Sequence, residues 1–363
     1  MNNIVNYADV MAFHPGYYIA EIIEEMGVTQ AEFATRLGTT AKNLSTLING
    51  QNNLSKDIAR KLASMLGMSV EFWLNLQSAY EEKLAEIEHL KELDEQEATM
   101  AMIDYSYFVR VAGLPMAKTA REKIQNLCKY LVISDLRILR SPDFLASFRS
   151  GITSSSEKNA VNARAWLQTA LNFSKHITTA PFNAEMLKAA LPQIRGMTKQ
   201  SPATFLPKLR QTFAECGVAF VLLPHLKNSG INGAVKWVTP ERAVLAMNDR
   251  RLYADTFWFS LFHEIKHVLQ QKTKTVFLSS DVEQAKEINA KLETEADSFA
   301  QNYLIPQKEY ESFSAEHITE TRITEFANEI GIHPGIVVGR LQHDGIIAQN
   351  RYAALREKYK ITP

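Results

Sequence analysis

The chain has 363 residues, a formal net charge of zero, 46% hydrophobic and 22% charged residues. That is enough for two or three domains with cores of their own, and it excludes disordered, fibrous and membrane-embedded classes. Balanced charge gives no global attraction to nucleic acid or to a membrane surface, so any DNA contact has to come from a local patch. No run of about eighteen apolar residues appears, and the first residues lack the layout of a secretory leader. A cytoplasmic chain with no membrane contact is the expectation. Cys128 and Cys216 stand in no metal or redox spacing and are expected to be reduced, buried thiols.

Five helices are predicted at the amino-terminal end. Pro15 suits a first helical turn and Gly27 a stop. Thr29-Gln30-Ala31-Glu32 is a capping box that opens a helix ending at Gly38. Thr40 opens the next, Ala41 to Ile48; a fourth covers about Lys56 to Leu66, and Ser69 caps a fifth. Phe33, Leu37, Leu44, Leu47, Ile58, Leu62 and Trp73 recur at helical spacing and would share one core. Two short helices joined by a glycine turn make an all-α helix-turn-helix domain, residues 1–80. Its second helix turns Thr39, Thr40, Lys42, Asn43, Ser45, Thr46 and Asn49 outward, where short polar side chains reach base edges and phosphates. Gln30 opens the preceding helix, a usual place for a phosphate contact. The first eighty residues hold five Lys and Arg against seven carboxylates, so the unit as a whole is not basic.

Over roughly residues 10–80 the segments F-H-P-G, T-Q-A-E-F-A-T-R-L-G and S-V-E-F-W-L-N-L-Q-S-A-Y resemble the HigA-like branch of the Xre/Cro-type repressors. The resemblance implies a homodimer on palindromic operator DNA and an antitoxin's partnership with a toxin.

From Tyr80 to Met102, eight carboxylates with Leu84, Ile87 and Leu90 on one face predict a charged linker or dimer-contact helix. Residues 81–150 are expected as this helix and a helical connector, and Thr153-Ser154-Ser155-Ser156 as a boundary loop. Helices follow at Ala160–Phe173 and Ala184–Ala190. From Gly217 the pattern changes to strands at Val218–Leu223, Gly233–Thr239 and Arg242–Met247, with Thr239-Pro240-Glu241 as a hairpin turn. A small antiparallel sheet in an α+β domain, residues 151–363, is the expectation. Its exposed edge could take an extended peptide as an added strand.

Next comes an apolar helical segment, Trp258 to Leu269, carrying His263-Glu264-Ile265-Lys266-His267. Residues four apart stand one above the other on a helix, so His263 and His267 can address one zinc ion. Glu264, about 100° around from His263, can act as the catalytic base on a water there. The third ligand should come from Leu292 to Leu304, a helix ended by Pro306. Glu293, Asp297, Ala300 and Leu304 share a face; Glu293 is the expected ligand, Glu295 the fallback, and Asp297 can orient a ligand histidine.

W-F-S-L-F-H-E-I-K-H followed by E-T-E-A-D-S-F-A-Q-N-Y-L-I-P resembles the ImmA/IrrE family of metallopeptidase-like domains. The resemblance implies a gluzincin-like zinc site on His263, His267 and Glu293, with Glu264 as general base. It further implies cleavage of a repressor, toxin or other regulatory protein. Family members commonly carry glycine where this chain has Lys266. About 60° around the helix from His263, that lysine is expected to crowd or oppose the ion. His225, His317, His333, His343 and Tyr303 have no assigned role. The tail I-H-P-G-I-V-V-G-R-L-Q, which the same family carries, is expected to pack on the metal domain. A competing expectation is a non-catalytic, antitoxin-type repressor whose peptidase-like domain only scaffolds or senses a metal or partner.

Overall fold

The computed structural model describes residues 3–141, 144, 156–250, 253–270, 282–315 and 317–359. Contacts divide the chain into two compact units, 1–98 and 99–363. The expected boundary loop at 153–155 lies outside the described residues.

The first unit opens with a hairpin that the sequence pattern does not announce. β1 (Ile4–Tyr7) pairs antiparallel with β2 (Val10–Phe13), Ile4 opposite Phe13. The strands have four residues each, and the turn puts Ala8, not a glycine or asparagine, at a φ of 47°. Four helices follow: α1 (Pro15–Glu25), α2 (Gln30–Leu37), α3 (Ala41–Ile48) and α4 (Lys56–Leu66). Thr29, Thr40 and Ser55 cap the last three, each side-chain oxygen accepting the N–H three residues on at 3.2 Å. Gly38, left-handed at a φ of 68°, makes the turn between α2 and α3. Phe33, Leu37, Leu44, Leu62 and Trp73 are buried in one core, as their spacing implies. The fifth and acidic helices are one: α5 runs unbroken over 31 residues, Val70–Met100. Tyr80 and Ile87 on it bury Ala12 of the hairpin.

The second unit begins with α6 (Tyr105–Ala112), α7 (Ala120–Leu131), α8 (Glu157–Ser174), α9 (Ala184–Gly196) and α10 (Pro202–Glu215). Then come β3 (Val218–Leu223), β4 (Gly233–Thr239) and β5 (Arg242–Asn248). The sheet corrects the expectation of an antiparallel arrangement. Its order is β3-β5-β4, with β5 antiparallel to β4 but parallel to β3. The reason lies in β5, whose residues from Ala243 to Asn248 are all buried. A strand that is apolar on both faces belongs in the centre of a sheet covered on both sides. Val218, Phe220 and Leu222 face a core built with α9 and α10, while Ala219, Val221 and Leu223 face a second core with α6, α7 and α8.

Five helices complete the unit: α11 (Ala254–Leu269), α12 (Val282–Leu304), α13 (Gln307–Ser314), α14 (Glu320–Glu329) and α15 (Pro334–His343). α15 packs on α11 so closely that a Cβ at Gly339 would stand 2.6 Å from the Asp255 carboxylate. Both cysteines are free thiols; burial pushes Cys128 up to about 11 and raises Cys216 as well. No helix among the described residues is long and apolar enough to cross a membrane.

Candidate metal centre

α11 buries Phe257, Trp258, Leu261, Phe262, Ile265 and Val268, and the Trp258 indole N–H donates to the Tyr359 hydroxyl at 2.7 Å. That packing fixes the helix rotation and so aims its remaining stripe. α12 crosses beside it with Ala296 and Ala300 fully buried, and these small side chains let the helices approach closely.

Across this contact three side chains converge. His263 Nε2 and His267 Nε2 stand 2.9 Å apart, and Glu293 reaches them with Oε2 at 3.2 Å and Oε1 at 3.4 Å. All three offer a donor atom within 4.8 Å of the others. Donors bonded at about 2.0–2.1 Å to one tetrahedral zinc sit about 3.3–3.4 Å apart, so the residues fit such an ion. The outer ring nitrogens are held too. Asp297 Oδ1 lies 2.9 Å from His263 Nδ1, and Gln270 Oε1 lies 2.9 Å from His267 Nδ1. An Nδ1–H donated to each oxygen leaves both Nε2 lone pairs pointing at the same place.

The surroundings of the imidazoles are negative. Burial disfavours charge on His263, but the Glu293 hydrogen bond and the Glu264, Glu293 and Asp297 charges outweigh it and raise the imidazole to about 9. Burial likewise works against Glu293, and the two imidazoles still hold it well below the usual carboxylate range. Two imidazoles and an ionised carboxylate, with donor atoms within 4.8 Å of one another, have the donor chemistry that suits a cation.

Glu264 lines, together with His263, a cleft of about 380 Å³ whose walls also include Asn232, Gly233, Phe259 and His343. It is 4% exposed, and its Oε2 has no hydrogen-bond partner. Burial pushes its carboxyl up to about 7 against the pull of His267 and His263. Gly233, the first residue of β4, makes this placement possible: a Cβ there would lie 2.8 Å from Glu264 Cγ.

Gln270 and Gly233 are the residues that the sequence reading overlooks. Gln270 also donates through Nε2 to Leu292 O at 3.1 Å and Glu295 Oε2 at 3.3 Å, tying His267 to α12. Gln270→Ala is therefore expected to weaken zinc binding by about 10–100-fold without unfolding the chain, measured by competition with a chromogenic chelator.

Lys266 does not crowd the histidines. Its Nζ is 4.0 Å from Glu295 Oε2 and 5.7 Å from the Phe299 ring, in a separate depression with Thr294 and Ser298. Glu295 thus accompanies Lys266 and Gln270, while Glu293 accompanies the Nε2 atoms. Tyr303 stacks on Phe262 at 5.3 Å, and His333 caps α15 by accepting the Gly335 N–H at 3.0 Å. His225 sits 3.3 Å from Ser229 Oγ. His343, exposed at the cleft rim, is the remaining imidazole there besides His263.

On the helix-turn-helix, Gln30, Thr40, Lys42 and Asn43 are exposed, and Thr39 and Thr46 are half-buried. Some of them also serve the helix itself. Asn43 Nδ2 donates to Thr39 Oγ1 at 3.2 Å, and Thr46 donates to Asn43 O at 2.9 Å and accepts from Asn52 at 3.0 Å. Lys42 makes no ion pair among the described residues, whereas Arg36 is paired with Glu32, and Arg60 and Lys61 with Asp57.

Residues 19–73 match the helix-turn-helix family, and residues 222–342 match the IrrE N-terminal-like domain. The chain is 35% identical over 89 residues to the uncharacterised HTH-type transcriptional regulator YddM of Escherichia coli, covering 23% of this chain and 95% of YddM. It is 44% identical over 59 residues to antitoxin HigA-1 of Vibrio cholerae, covering 16% of this chain and 55% of HigA-1. A solved HigA-family addiction-module antidote protein from Coxiella burnetii is 31% identical, covers 23% of this chain and 91% of that one, and superposes with a TM-score of 0.22.

Proposed function

We propose, from the premise that this chain belongs to the helix-turn-helix regulators and carries an IrrE N-terminal-like, peptidase-family domain, that it is an antitoxin-like repressor with zinc endopeptidase activity. The observation that carries the catalytic half is the convergence of His263, His267 and Glu293 beside a buried carboxylate whose Oε2 is unpaired.

His263, His267 and Glu293 would hold the ion, with Asp297 and Gln270 orienting the two rings. Zinc, when bound there, supplies a Lewis acid that acidifies water and polarises a carbonyl. The rest falls to the protein. Glu264 Oε2, with its carboxyl near neutrality, takes the proton from the attacking water and returns it to the departing amine. Among the described strands β4 is terminal, and its first residue lines the cleft, so its outer edge can align an extended substrate by main-chain hydrogen bonds. Gly233 keeps that edge close to Glu264. At the other end of the chain, Gln30, Thr39, Thr40, Lys42, Asn43 and Thr46 would meet operator DNA, with a homodimer matching a palindrome. The substrate is a regulatory protein, a repressor or a toxin.

The likeness to HigA-1 favours a second reading, in which the metal domain only scaffolds an antitoxin. A random-sequence peptide library incubated with the zinc-loaded chain, with products read by mass spectrometry, separates the two. Cleavage by wild type and none by Glu264→Gln supports the peptidase. Identical product spectra from both proteins would leave the scaffold reading standing.

A further inference from the structure

The two outer strands of the sheet have different surroundings. β4 begins at the cleft, whereas β3 bounds a second groove of about 720 Å³ that shares no lining residue with the first. Phe220, Val221, Leu222 and Leu223, four consecutive residues, all line it. Their side chains go alternately to the two cores on opposite faces of the sheet. A groove touching all four must run along the lateral edge of the strand. β3 pairs with β5 alone among the described strands. In such a pairing alternate N–H and C=O groups point away from the partner strand.

The walls are apolar: Val111 at the end of α6, Phe173 at 36% exposure, and Ile177 just beyond α8. The rim carries two guanidiniums and an imidazole. Arg110, His176 and Arg210 come from three separate segments, all are exposed, and none is in an ion pair among the described residues. Among the described residues no carboxylate lines the groove.

We propose that this edge of β3 is a docking groove for an extended, acidic segment of a partner protein. The backbone of the segment adds to β3 as a further strand, alternate apolar side chains meet Val111, Phe173 and Ile177, and carboxylates meet the two guanidiniums. Single-stranded nucleic acid is the less suited occupant, because it needs a basic track with stacking platforms along its length. Here the cations stand only at the rim of an apolar slot. The proposal does not depend on the metal site or on peptidase activity.

The test uses the full chain and two fluorescein-labelled heptapeptides, one alternating Asp and Val and the other alternating Lys and Val. Binding is followed by fluorescence anisotropy at two salt concentrations. The acidic peptide should bind at least tenfold tighter than the basic one and slow amide exchange at Phe220–Leu223. Arg110→Glu with Arg210→Glu should remove or reverse that preference. Both positions are exposed, and circular dichroism confirms that the double variant is folded. Equal binding of the two peptides, no binding of either, or indifference to the charge reversal would overturn the proposal. So would displacement of the acidic peptide by a ten-residue oligothymidylate.

Discussion

Glu264→Gln is expected to lower peptide hydrolysis by about 10²–10⁴-fold, the usual contribution of a positioned general base. Zinc content and fold should be unchanged. Glutamine matches glutamate in shape, so it occupies the same space beside Gly233, where a Cβ would stand only 2.8 Å from the residue 264 Cγ. Burial already works against ionisation of Glu264, and a neutral amide therefore costs the fold little. What the amide cannot do is accept a proton. Rates normalised to bound zinc decide the matter: a variant as fast as wild type would remove Glu264 from the chemistry.

Gly16→Ala is expected to destabilise the first unit by about 3 kcal/mol or more, in the upper range for overpacking. A Cβ on residue 16 would lie 2.1 Å from the Leu47 carbonyl oxygen and 2.8 Å from Ile48 Cα, both backbone atoms of α3. No side-chain rotation relieves that clash; α1 and α3 must part. The same substitution crowds His14 Nδ1, which accepts the Gly16 N–H at 2.9 Å and starts α1. Since α3 carries Lys42 and Asn43, operator binding should fail together with the loss of stability. Thermal unfolding followed by circular dichroism is the check, and a wild-type melting profile would show that α1 and α3 do not meet as described.

How far the sequence shows these features depends on the range over which each is encoded. Helical period alone places His263 over His267 and sets Glu293 and Asp297 on one face of a second helix, so the convergence is legible within two segments. The helix caps at Thr29, Thr40 and Ser55 are local for the same reason. Gly233 is illegible because its partner, Glu264, is brought near by the sheet and not by the chain. Gln270 looks like an ordinary helix end until α12 supplies Leu292 O and Glu295 to hold it. Lys266 shows the limit of angular reasoning. A wheel angle places its Cβ, whereas the four-carbon stem carries the ammonium over Phe299 to Glu295. The parallel pairing of β3 with β5 escapes as well. A continuous apolar run such as Ala243–Met247 signals a buried central strand, but does not say which neighbour runs which way.

Elemental analysis of zinc in the wild type, Glu293→Ala and Glu295→Ala tests the metal centre most directly. Wild type and Glu295→Ala should each hold about one zinc per chain, and Glu293→Ala should lose it, because two histidines alone leave too few protein ligands to retain the ion. A wild type that stays free of zinc after refolding with excess metal would contradict the account. Zinc lost with Glu295 and kept without Glu293 would contradict it equally.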